Sequence, residues 1–245
     1  MNTRMDRRSP ACNYNNGMRL WKKIPLRFKT RVCWYGFAIQ VCVAASALPP
    51  ANPMNRAQYS DLYAQRLATA RTAYFRVITS SNRAADIAAH KALAELEDAY
   101  PDDPTAEAYH GSLELLDAAH NWQIWNLHRQ ASDGLSRLDE AIRHAPNDPE
   151  ARFIRAATSW HLPAFYHRRQ QCEEDFAWLA QRAQSDAHVG KLPPELAAAS
   201  LNYWGQILVR RKDYSSARSA FQQAIQIAPQ SPGAQDAARR LHNLL

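Results

Sequence analysis

KDYSSARSAFQQAIQIAPQSP, residues 212–232, reads as one amphipathic helix closed by a proline. Its end is spelled like two others in the chain. IAPQSPGAQDA at 227–237, HAPNDPEARFI at 144–154 and AYPDDPTAEAY at 99–109 each give a helix end, Pro-x-x-Pro, then a new Ala-containing helix. The first proline of such a pair stops one helix, because it has no N–H to donate. The second fits the first turn of the next helix, where that N–H would be unpaired anyway. Asp102, Asp103 and Asp148 lie between the prolines, placed to cap the new helix and to meet its positive end. Each junction is therefore a hinge between two units.

Pro101, Pro146 and Pro229 are 45 and then 83 residues apart, and 83 is close to twice 41 or 42. The shortest common two-helix unit has about 34 residues, so these units are elongated. Apolar residues recur at three and four spacings from Met54 onward. Helices are expected at 54–79, 84–99, 105–119, 122–145, 149–162, 164–184, 194–211, 214–228 and 233–243. With only seven glycines in 245 residues and no strand pattern, the expected class is all-α.

The last unit resembles a tetratricopeptide repeat. Ala217, Phe221, Ala224 and Pro229 match the A-x-x-x-F-x-x-A second helix and its stop, Tyr214 opens that helix, and Gly205 fills the glycine position of the first. The first helix departs from the pattern, with Leu201 at the Trp position, Trp204 before the glycine and Leu208 at the Tyr position. The unit from Pro104 to Pro146 follows more loosely through Gly111, Leu138 and Ala141, and the unit starting at Pro149 has Ala156 for the glycine before meeting Pro163. The stretch RFIRAATSWHLPAFYHRRQQCEEDF, 152–176, is similar to bacterial envelope proteins of tetratricopeptide type. The resemblance implies an α-solenoid of antiparallel helix pairs whose first helices line a concave face. On that face Asn202, Gln206 and Arg210 occupy the positions that hold a partner's backbone or carboxylate. Spaced i, i+4, i+8, they also form one polar stripe.

The formal charge of +7 sits at one end. Residues 1–31 hold nine Lys and Arg against Asp6, whereas the remaining 214 residues hold 21 Lys and Arg and 22 Asp and Glu. A nucleic-acid binder needs its positive charge on the folded face that meets phosphates; here the body is neutral, so a nucleic-acid partner is not expected. VCWYGFAIQVCVAASAL, 32–48, follows the basic segment without a charged side chain. That order is the order of a secretory signal, with Ala45 and Ala47 supplying A-x-A and cleavage expected after Ala47; an uncleaved anchor is the alternative. Met1 or Met18 serves as the start. The expected organisation is 1–47 as basic region plus signal or anchor, 48–53 as a Pro-rich linker and 54–245 as the helical domain. The body is expected outside the inner membrane, released in the periplasm or tethered there. Cys172 is the one cysteine after the signal, which leaves no intrachain disulfide for the mature chain.

Candidate chemistry is sparse. His161, His167 and Cys172 lack zinc-ligand spacing, no nucleophile or phosphate-loop motif occurs, and no cofactor, metal or catalytic residue is expected. Glu173, Glu174 and Asp175 are neighbours that do not share a helix face, and they read as a solvated face. Trp122, Trp125, Trp160, Phe165, Tyr166 and Phe176 concentrate in the middle units, either as core or, through Trp160 and Tyr166, as an aromatic groove. The leading expectation is a non-catalytic interaction scaffold of the bacterial cell envelope that binds a protein or peptide. A small-ligand binding component serving a transporter is the alternative, and an all-helical hydrolase ranks below it.

Overall fold

The computed structural model describes residues 56–80, 82–120 and 124–244, without the side chains of 56–57, 120 and 124–130. The expected signal or anchor, the linker, Trp122 and the Trp125 side chain lie outside that set. Nine α-helices and one 3-10 turn are present among the described residues: α1 Arg56–Ser80, α2 Arg83–Ala99, α3 Pro104–His120, α4 Ile124–His144, α5 Pro149–His161, α6 Arg169–His188, α7 Pro194–Arg210, α8 Tyr214–Ile227 and α9 Pro232–His242. No described helix is long and apolar enough to cross a membrane.

The helix starts follow from side chains that take up orphan N–H groups. Asp148 Oδ1 accepts from the backbone N–H of Glu150 and Ala151, both at 2.9 Å, with Pro149 opening α5. Ser231 Oγ accepts from Ala234 N at 3.2 Å ahead of Pro232, and Asp213 Oδ1 from Ser216 N at 3.1 Å. Asn82 Oδ1 does the same for Ala85 N at 2.8 Å at the head of α2.

One expected helix is different. The span 164–184 becomes a 3-10 turn, Ala164–Tyr166, followed by α6 from Arg169. Pro163 cannot continue α5, and His167 turns left-handed at φ 54°, so helical geometry resumes only after it.

The nine helices stack as a two-layer array. Consecutive pairs α1/α2, α3/α4, α5/α6 and α7/α8 pack together, and the odd-numbered helices also touch in sequence, α1 to α3 to α5 to α7 to α9. One apolar core runs through all of them, from Leu67 to Ala237. Small residues set the closest approaches. A Cβ on Gly111 would lie 2.7 Å from the Gly134 carbonyl oxygen, and one on Gly134 would lie 2.6 Å from that of Gly111, so α3 and α4 meet backbone to backbone. The last helix, α9, buries Ala234 and Ala237 and turns Gln235 and Arg239 outward.

Contacts between equivalent positions measure the repeat directly. Tyr74 bonds Ser112 across 38 residues, Ser112 bonds Thr158 across 46, and Asn202 bonds Asp236 across 34. The middle units are elongated, while the last has the common length of about 34. The junction missing from the proline spelling is Pro193-Pro194, which opens α7 without a Pro-x-x-Pro.

Candidate interaction face

The odd-numbered helices form a continuous layer, and its polar contacts change character along the array. At the α1–α3–α5 end they are buried. Arg71 Nε and its second nitrogen bond the two Glu150 carboxylate oxygens at 2.7 Å each, and Tyr109 donates to Glu150 Oε1 at 2.8 Å. Tyr74, Ser112 and Thr158 form a second rung, with both links at 2.7 Å. Burial first, then the Glu150 carboxylate, pushes the Tyr109 phenol well up, so it remains a donor. These rungs clamp three helices together and leave little for a ligand.

A second ion network ties this layer to the other one. Asp175 of α6 is 1 % exposed and accepts from Arg152 at 2.7 Å and from two Arg155 nitrogens at 2.9 Å. Arg155, Arg168 and Gln171 converge on Asp139 of α4 at 3.3, 2.6 and 2.9 Å. The reading of Glu173, Glu174 and Asp175 as a solvated face therefore fails for Asp175. Residues two apart on a helix point differently: Glu173 reaches Arg211 at 2.6 Å and Glu174 reaches Gln170 at 2.9 Å, while Asp175 turns into the α5 interface.

The α5–α7–α9 end carries the residues singled out from sequence. Trp160 is half-buried, edge-on to Phe176 at 6.1 Å and to Tyr203 at 5.2 Å between ring centres. Its face is covered by the Arg210 guanidinium, 4.1 Å from the ring centre. Phe176 is fully buried and stacks on Tyr203 at 4.7 Å. Tyr166 pairs with Phe165 at 4.5 Å, and Phe165 is the exposed member at 61 %. Trp160 and Tyr166 thus belong to separate ring clusters. A surface groove of about 580 Å³ lies elsewhere, on α6 and α7, lined by Trp204, Arg211, Glu173 and Glu174.

Along α7 the stripe divides. Asn202 is 5 % exposed, and its amide donates to Asp236 Oδ2 at 3.0 Å. Asp236 also accepts from Arg240 at 2.7 Å and Arg239 at 3.0 Å, so Asn202 belongs to a polar seam that joins α7 to α9. Gln206 is half-buried and Arg210 exposed; among the described residues neither makes a hydrogen bond or ion pair, and Arg210 is held by Trp160 alone. Gly205, Ala217, Phe221 and Ala224 are fully or almost fully buried in the α7/α8 interface, and Pro229 follows the end of α8. Asp236 was missed in the sequence, although it stands one 34-residue repeat after Asn202, a spacing that marks equivalent positions in consecutive units.

The seam is expected to weaken in acid. Burial alone would raise the Asp236 carboxyl, but hydrogen bonds from Arg240 and Asn202 outweigh it and hold the group below its ordinary value. A depressed carboxylate stabilises the fold above its unfolded pKa, and that contribution is lost as pH falls through the folded value. Acidification below about pH 4 is expected to release α9 before α7. Amide exchange checks it: equal loss of protection in both helices would reject a role for the seam.

The earlier metal candidates do not assemble. Cys172 donates to the Ala156 carbonyl at 3.3 Å, and burial, reinforced by Asp175, pushes its thiol up to about 12. His161 Nε2 stands 3.4 Å from the Tyr203 hydroxyl.

An array of helix pairs with a continuous layer of first helices defines an α-solenoid of the repeat-protein class. Within it, the tetratricopeptide repeat family model matches residues 198–231, which cover most of α7, all of α8 and the turn before α9, so that segment is similar to one such repeat. No curated protein and no solved structure matches the chain.

Proposed function

We propose that the chain is a non-catalytic scaffold of the bacterial cell envelope that docks an extended segment of a protein partner on the α5–α7–α9 face. One observation carries this reading. Arg210 is fixed over Trp160 with its guanidinium donors unclaimed among the described residues, and Gln206, one turn earlier, is unclaimed among them as well. A guanidinium fork beside an amide matches the carbonyl and carboxylate oxygens of an extended chain. Trp160 removes much of the entropy cost of ordering Arg210 before a partner arrives. In this arrangement Gln206 and Arg210 touch the partner, and Asn202 keeps α9 alongside them. The envelope location rests on the basic, apolar and A-x-A order of residues 1–47.

Capture from bacterial envelope extract tests the site. Gln206→Ala/Arg210→Ala is expected to weaken partner retention by about 10- to 100-fold, the range for hydrogen bonds to a charged group, with the melting temperature little changed. Identical partner sets for wild type and variant would sink the proposal. The address has its own check, since a C-terminal reporter active only outside the cytoplasm must light up, and a dark fusion rejects export.

A further inference from the structure

We propose that Asp86, His90 and Asp117 form a zinc-binding site that ties α2 to α3 across the junction between the first two units. Asp86 and His90 stand at i and i+4 on α2, so their side chains rise from one helix face a turn apart. Asp117 approaches from α3. His90 Nε2 lies 2.9 Å from Asp117 Oδ2 and 3.7 Å from Asp86 Oδ1, and all three ligand atoms fall within 4.8 Å of one another.

Two carboxylates converge on a single ring nitrogen there. That nitrogen has at most one proton to donate, and the distances assign it to Asp117, leaving Asp86 at ion-pair range only. A divalent ion serves all three at once. Zinc bonds nitrogen and carboxylate oxygen at about 2.0–2.2 Å, which in a tetrahedron sets ligand atoms about 3.3–3.6 Å apart. The observed 2.9 and 3.7 Å straddle that spacing, and the remaining Asp86–Asp117 separation is within 4.8 Å. The three side chains are 37 to 42 % exposed, which gives the ion an entry path and leaves room for a water as fourth ligand. Calcium takes six to eight oxygens and magnesium an oxygen octahedron, whereas one imidazole with two carboxylates suits zinc. The sequence pattern concealed the set, because its third member lies 27 residues from His90 and on another helix.

The test is zinc titration of the full, untagged chain by competition with a chromophoric chelator, paired with cobalt(II) spectra. Wild type is expected to take up one zinc ion and, with cobalt, to show the strong visible absorption of a four-coordinate site. His90→Gln, which can still hydrogen-bond Asp117, and Asp117→Asn should each weaken zinc by more than about 100-fold, beyond what changes behind the ligands cost. His144→Gln, at the exposed Glu107 contact, should leave affinity unchanged. Zinc should also raise the melting temperature of wild type and not of His90→Gln. Equal uptake by wild type and His90→Gln would assign the zinc to other histidines and overturn the proposal, as would a wild type without the cobalt absorption.

Discussion

Truncating Phe221 to alanine is expected to cost about 3–5 kcal/mol, and Gly205→Ala about 2 kcal/mol, yet the two together should cost less than their sum. Phe221 is fully buried, and its ring lies where a side chain at 205 would go: a Cβ there would stand 2.4 Å from Cε1, 2.7 Å from Cδ1 and 2.8 Å from Cζ. Overpacking of that severity costs about 3 kcal/mol, and alanine regains about 1 kcal/mol of helix propensity over glycine. Removing the ring first takes away the clash, so the double variant recovers the penalty at 205. Chemical denaturation of the four proteins in a mutant cycle reads this as a coupling of about 1–3 kcal/mol. Strict additivity would mean that α7 and α8 do not approach at Gly205.

The second large effect concerns the buried ions. Asp175→Ala should destabilise by about 3–5 kcal/mol, because it leaves the Arg155 guanidinium desolvated without its main counter-charge. Arg152 suffers less, since it also reaches the Pro146 carbonyl at 2.6 Å and lies 4.5 Å from the Trp178 ring centre. The paired change Asp175→Leu/Arg155→Met removes both charges and is expected to recover most of the loss, since apolar replacement of a whole buried pair is often neutral. Thermal melts of the single and paired variants separate the cases. A loss under about 1 kcal/mol for Asp175→Ala would be that of a surface pair and would contradict its burial. The network also ties the elongated middle units together, because Asp139, Asp175 and three arginines join α4, α5, α6 and the bend at His167.

What the amino-acid order determined alone is the local and periodic part of this protein. Proline positions, capping residues and apolar spacing act within a few residues, so eight of the nine helices could be placed from them, and Gly205, Ala217, Phe221, Ala224 and Pro229 could be recognised as one repeat. The left-handed turn at His167 escaped, because no glycine or asparagine marks it. The polar stripe was legible as a pattern, but its fate was not. Asn202, Gln206 and Arg210 are alike by spacing, and only the approach of α9 and α5 commits Asn202 to Asp236 and rests Arg210 on Trp160. Asp175 likewise looked like its neighbours until α5 packed against it. Tertiary structure decided which polar groups lost water, since their partners come from other helices of the stack, from 20 residues away for Asp175 and Arg155 to 79 for Arg71 and Glu150.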